Sequence, residues 1–421
     1  MTMIRILWLG VALVLACTSA PMASAGELAV VNARIVAAPD AEPIARGTVL
    51  VRDGRIAAVG DAAEVAVPEG AEVVDARGGT VVAGFWNSHV HLMAPPLDRA
   101  SAHAGDVLSE RLSSAYLRWG FTTIFDIASP PGNAIALRRR IAAGEVDGPQ
   151  ILTVDMPFFP KDGKPVYVPD ELGGWTTRLA EVTTPAEASA RAQRQLEEGA
   201  DGLKLFGGAI VGGEVGVLPM DLDIARAVVE VAHAAGKRVF VHPTNAEGIA
   251  VAIDSDADVL AHTAPQAGPW PEALVRRMVD ADMALVPTLS LFEIEMRKEG
   301  VPEAIVAREV GITKQQVAAF AKAGGAVLFG TDAGYVDAYD THVELRLMHE
   351  AGLDWRRILD SLTAAPAAYF GHAQRKGRIA EGLDADLVVL RGDPADDVAE
   401  FADVRYTLRG GQVVYRAVTR D

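Results

Sequence analysis

Short apolar runs, each closing on a polar or aromatic side chain, recur through the middle of the chain. They end at His91, Asp126, Asp155, the triplet Lys204-Leu205-Phe206, His242, His262, Thr288 and Asp332. Between them, stretches such as 185–198 and 221–235 place apolar residues at the helical period. Eight strands alternating with helices predict an α/β fold of the (β/α)8 TIM-barrel type, whose chemistry lies at the strands' C-terminal ends. Outside this middle the pattern is strand-only. Residues 48–52 and 55–59 flank Asp53-Gly54, a preferred two-residue hairpin turn. Near the C-terminus, 385–390 reads as a strand, and 406–409 meets 412–415 across Gly410-Gly411. The expected organisation is a barrel over 81–375 and a small β-sandwich domain assembled from 26–80 and 376–421. The stretch 156–175, rich in Pro, Gly and aromatics, is expected to be a loop that serves as a lid or substrate wall.

Composition narrows the function classes. Half of the residues are hydrophobic and 23% are charged, enough for a large core and too apolar for a disordered chain. The formal net charge of −17, with no basic stripe, argues against a nucleic-acid partner. At the N-terminus, Arg5 precedes an apolar run over 6–16, and Ala23-Ser24-Ala25 supplies small residues ahead of Gly26. That pattern predicts a secretory signal peptide over 1–25, too short to span a bilayer, and a periplasmic protein. Cys17, the single cysteine, follows Val14-Leu15-Ala16, which resembles a lipoprotein box and makes a lipid anchor to the outer membrane the alternative. Either processing leaves no disulfide, so stability must come from the core and any bound metal.

Candidate chemistry sits at the strand ends. His89 and His91 are two apart on one strand, so their imidazoles point to the same side. Two nitrogen donors so placed suit zinc and its neighbours in the first transition series. Lys204, His242, His262 and Asp332 close the fourth, fifth, sixth and eighth strands. Singly, each has an ordinary reading as a solvated charge or a hydrogen-bonded core histidine. Around one barrel mouth they converge. An ammonium has no lone pair for a cation, so Lys204 fits such a cluster only as a neutral amine or a derivative of it.

This set, with Asp332 in Gly330-Thr331-Asp332 and the run Gly382-Leu383-Asp384-Ala385-Asp386-Leu387, resembles the amidohydrolase superfamily with a two-metal centre. The resemblance covers nearly all of the chain beyond the N-terminal segment. Residues 200–206 and 241–249 are similar to the imidazolonepropionase-related branch, which includes prolidase-like dipeptidases. It implies that His89, His91 and Asp332 hold the more buried of two divalent ions, with Zn2+ expected, and that His242 and His262 hold the other. Lys204 is implied to bridge both as a carbamate formed with CO2, and Asp332 to act as general base and then acid.

The expected reaction is hydrolysis of an amide by metal-activated hydroxide, acting on a dipeptide, as a dipeptidase or carboxypeptidase, or on an N-acyl amino acid. Lactone, ester or phosphotriester hydrolysis and imidazolonepropionase-like opening of a cyclic amide are the alternatives. A ligand-binding barrel without catalysis is a third class. In the loop after Asp332, Tyr335, Tyr339 and His342 are expected substrate contacts. Asp126 is expected to support a metal-bound histidine, and Lys161, Tyr167 or Arg178 to meet a substrate carboxylate. The pattern leaves the oligomeric state open and is compatible with a homo-oligomer.

Overall fold

The computed structural model describes residues 26–168 and 180–418. The expected signal peptide, Cys17 and Arg178 lie outside the described residues, as does the 169–175 part of the expected loop. What is described of that loop includes a strand, Phe159–Pro160, which pairs in parallel with Glu181–Val182.

Strands from the two chain ends share one sheet of eight. Its main path runs Gln412–Arg416, Val404–Arg409, Leu387–Leu390, Thr80–Ala83, Leu28–Ile35, Ile44–Arg52, Arg55–Asp61, and Glu72–Asp75 pairs with Leu28–Ile35. Its strands are joined by one hydrogen-bonded path. The hairpin turn has positive φ at both Asp53 (51°) and Gly54 (74°), the geometry that matches the strands' twist. Val30, Ile35, Val49, Val81, Leu387 and Val389 form its own apolar cluster.

The middle of the chain is α/β with parallel strands, as the alternation predicts. The strands fall into two arcs. Phe85–Val90, Phe121–Asp126 and Gln150–Thr153 form one; Gly202–Phe206, Arg238–His242, Val259–Ala261, Ala284–Val286 and Ala326–Val327 form the other. Backbone bonds cross both gaps: Asp201 N–H to Thr153 O at 2.7 Å on one side, Ser88 N–H to Phe329 O at 2.7 Å on the other. The ladder is nonetheless not one closed sheet, which corrects the expectation of a regular eight-stranded barrel. Asp155 (φ 62°) and Asp332 (φ 60°) adopt left-handed conformations beyond the third and eighth strands. Trp86, Phe125, Leu152, Phe240, Val259 and Val286 belong to one buried cluster that joins the two arcs.

The helices follow local signals. Pro185–Glu198 starts at Thr184, whose hydroxyl accepts from Glu187 N–H, while Glu187 accepts from Thr183 N–H. Leu222–Ala234 starts at Asp221, whose carboxylate accepts from two amides of its first turn.

Candidate metal centre

His89 and His91 stand at the end of the Phe85–Val90 strand, and Asp332 lies in the segment that follows the eighth, Ala326–Val327. Backbone pairing brings them together, with Asp332 N–H donating to His89 O at 2.9 Å and His91 N–H to Ala333 O at 2.8 Å. Two glycines permit this approach. A Cβ at Gly330 would lie 2.8 Å from His89 Cβ, and one at Gly334 would lie 1.9 Å from His91 O. Asn87 locks the arrangement by donating to Thr331 Oγ1 at 2.8 Å and accepting from His89 N–H at 3.2 Å.

The result is a buried triad. Asp332 Oδ1 lies 2.7 Å from His91 Nε2 and 3.1 Å from His89 Nε2. One ligand atom from each of these residues lies within 4.8 Å of the others. Yet His89 Nε2, His89 Nδ1 and Asp332 Oδ1 are buried without an aligned hydrogen-bond partner among the described residues. Buried polar atoms are almost always hydrogen-bonded. Lone pairs crowded together without a proton between them fit a divalent cation better than an ion pair. Electrostatics agree with ligand-ready protonation states. Burial pulls His89 down to about 3, so its imidazole is neutral at physiological pH. Burial by itself would raise the Asp332 carboxyl, but positive charge carried by protons on His89 and His91 outweighs it and holds the group well below the usual range, and a cation between them would act in the same sense.

His91 has a defined tautomer. Its Nδ1 lies 2.9 Å from Ala128 O, which can only accept, so Nδ1 carries a proton and Nε2 is the nitrogen that faces Asp332. Asp126 supports His91, though not by the direct bond to a histidine that the sequence suggested. Its fully buried carboxylate accepts from Leu92 N–H (2.9 Å), Ser129 Oγ (2.8 Å) and Thr153 Oγ1 (2.7 Å). It therefore fixes the chain just after His91 and just after Ala128, the two sides of that hydrogen bond.

His242, His262 and Lys204 gather beside the triad. The His262 ring centre is 4.4 Å from that of His89 and 4.6 Å from that of His242. His242 stacks on Phe206 at 4.7 Å, and its Nε2 lies 3.5 Å from Tyr167 Oη. Burial lowers both histidines well below their ordinary value. Lys204 is also fully enclosed, and burial brings its amine down to about 7.

These groups floor a cavity of about 260 Å3. Its walls include Met93, Phe159, Phe206, Ile210, Leu291 and Phe292, with Tyr167, Tyr335 and Glu295 among the polar ones. Of the three expected substrate contacts, Tyr335 lines it, whereas Tyr339 and His342 are not part of its wall. The Tyr339 ring lies under the Arg111 guanidinium at 4.4 Å and packs edge-on against Tyr116. His342 opens a helix, exposed, with its Nδ1 2.6 Å from Asp340 Oδ1. Lys161 lines a different, shallow pocket beside Asp221. Sequence reasoning passed over Thr288 and Glu344. Thr288 Oγ1 meets His262 Nδ1 at 2.8 Å, and the buried Glu344 carboxylate accepts from Leu289 and Ser290 amides. The polar end of the seventh strand was the available signal for Thr288; Glu344 gave none.

Comparisons with known proteins agree with this geometry. Residues 80–414 match the amidohydrolase family. Over 84 residues the chain is 37% identical to dihydroorotase of Mycobacterium tuberculosis, a match covering 20% of this chain and 18% of that enzyme's length. Among solved structures, a Xaa-Pro dipeptidase with bound methionine superposes with a TM-score of 0.78 at 21% identity, covering 93% of this chain and all (100%) of that one. A candidate prolidase from Bifidobacterium longum gives a TM-score of 0.77 at 25% identity over 93% of this chain and 95% of the other.

Proposed function

The chain belongs to the amidohydrolase family, and from that premise we propose that it is a metal-dependent hydrolase of carbon–nitrogen bonds acting on a dipeptide or an N-acyl amino acid. One observation carries the reading: His91 and Asp332 at the floor of an apolar cavity converge with His89 beneath it, and buried ligand atoms of His89 and Asp332 lack aligned hydrogen-bond partners among the described residues. In it, these three residues would hold one divalent ion, zinc suiting the donor set, and His242 and His262 would hold a second. Two such ions supply Lewis acidity and make a water acidic enough to ionise near neutral pH.

The chain's own residues do the rest. Lys204 would add CO2 through its neutral amine, the N–C bond forming as one C=O π bond opens and the ammonium proton passes to water, and its carbamate would supply an anionic ligand beside the histidines. Its amine titrates near pH 7 because it is buried, which supports that step. Asp332 accepts the proton of the attacking water and delivers it to the departing nitrogen. The apolar wall of Phe159, Phe206, Ile210, Leu291 and Phe292 takes the substrate's hydrophobic side chain or acyl group and excludes water from the reacting carbonyl. Tyr167 and Tyr335 present hydroxyls to the substrate's carbonyl or carboxylate. An exported enzyme of this kind would act on scavenged peptides.

The test is release of free amine from a panel of dipeptides and N-acyl amino acids by the zinc-loaded mature protein. Release that Asp332→Asn lacks establishes amide hydrolysis and ranks the substrates. Protein shown to hold two ions that releases no amine from any member, but opens lactones or phosphotriesters, overturns the amide reading.

A further inference from the structure

We propose that Thr288 and Glu344 are positioning residues for the second cation, acting on His262 from behind; the inference rests on the two-cation function proposed above. His262 follows the Val259–Ala261 strand with φ at 113°, a conformation that L residues adopt only when their surroundings impose it. Its amide donates to Val286 O at 2.9 Å, which ties it to the neighbouring strand. Its ring Nδ1 lies 2.8 Å from Thr288 Oγ1. Thr288 Oγ1 also lies 2.9 Å from Pro287 O, and with its proton turned to that carbonyl Oγ1 accepts from His262 Nδ1–H. That polarity fixes the tautomer: Nε2 is left as the nitrogen with the free lone pair, the form a metal ligand requires.

Thr288 does not hold its place unaided. It is wholly buried and sits at φ 45°, where a β-branched residue is strained. The constraint comes from the next two residues. Leu289 and Ser290 begin the Leu289–Lys298 helix, and their amides donate to Glu344 Oε1 at 3.0 Å and Oε2 at 2.7 Å. Glu344 belongs to the His342–Glu350 helix and is completely buried, and no cation pairs with it among the described residues. Burying a carboxylate in that way is costly.

Other helices here start more cheaply on a local cap, such as Thr184, Asp221, Asn245 or Asp354. A buried acid brought from 55 residues downstream pins this helix start, and with it the threonine one residue earlier. The two histidine sets therefore have separate supports. His91 leans on Ala128 O, and His262 leans on Thr288, so the second set can be weakened alone.

Metal-stripped protein is titrated with Zn2+ against a chromophoric chelator, and the equivalents and their affinities are read for wild type, Thr288→Val, Thr288→Ser and Glu344→Gln. The expected wild type binds two equivalents. Thr288→Val is expected to keep the first unchanged and to bind the second about 10–100-fold more weakly, as loss of a partner behind a metal-bound histidine does. Thr288→Ser, which restores the hydroxyl without the methyl, is expected to recover the second site, and Glu344→Gln to weaken the same one. An unchanged second affinity in Thr288→Val, equal weakening of both equivalents, or a serine variant no better than valine overturns the proposal while leaving the two-cation reading intact. A wild type that takes up fewer than two equivalents overturns that reading, and the proposal with it. If Thr288→Val fails to fold, Glu344→Gln decides by the same selective loss.

Discussion

Asp332 Oδ1 stands 2.7 Å from His91 Nε2, although the two residues come from opposite ends of the strand series. The contact joins the first and eighth strands at the cavity floor, and Asp332 holds it in a left-handed backbone conformation. One carboxylate is thus placed to serve both as a ligand and as the proton carrier of the proposed reaction.

Asp332→Asn separates those duties from the fold. Asparagine is nearly isosteric and tolerates positive φ better than most residues, so the variant is expected to fold. It cannot accept the proton, and kcat is expected to drop by roughly 10²–10⁴-fold. Steady-state kinetics with circular dichroism as control checks this. Near-normal turnover would refute the general-base role.

Gly334→Ala tests whether the triad depends on backbone proximity. The new Cβ would sit 1.9 Å from His91 O, at a residue whose φ is 100°. Neither a side-chain hop nor a small rotation relieves a clash with backbone, so the loop must retreat from His91. Loss of stability of about 1–3 kcal/mol is expected from the overpacking, together with weaker binding of the first zinc equivalent. Chemical denaturation and zinc titration read the two effects. Wild-type values in both would show that the loop yields freely.

Lys204→Ala removes the anionic bridge of the proposed centre. Metal content and turnover are expected to fall together, and short carboxylates such as formate or propionate to restore part of both by filling the space the carbamate leaves. In wild type, intact mass under bicarbonate should show addition of one CO2. Lys204→Arg should not recover activity, because a guanidinium stays protonated and does not add CO2. Recovery with arginine would point to a plain cationic role.

Much of the site was legible because an apolar strand that ends in a histidine or an acid is conspicuous. Strand ends also share one face of this architecture. His89, His91, Lys204, His242, His262 and Asp332 came from that rule, and the structure gathers all six around one cavity, His89 beneath its floor. Tyr339 and His342 were singled out by nearness in sequence to Asp332. The chain instead turns at Gly334 and carries them away to pack on Tyr116 and Trp119. Thr288 was unreadable as a partner because a hydroxyl has many ordinary roles. Glu344 looked like a solvated helix residue, since its partners are backbone amides far away in the chain, which no side-chain pattern marks.

Glu344 gives a prediction with a definite sign in pH. Burial raises its carboxyl from the ordinary 4.5 to about 7, against the opposing pull of the Ser290 and Leu289 amides. Between those two values the folded protein holds a proton that the unfolded chain has released. Stability should therefore fall as pH rises from about 4.5 to 7 and change little from this source above it. The span corresponds to something on the order of 3 kcal/mol. Other groups work in the opposite sense: Asp332, held low by its histidines, loses its contribution as pH falls through its own folded value. The clean readout is hence the difference between wild type and Glu344→Gln, in which shared titrations cancel. Urea unfolding of both metal-free proteins across this range should show wild type losing ground to the variant as pH rises. A difference that stays flat would mean that the carboxylate is ionised throughout, its two amide bonds outweighing the cost of burial.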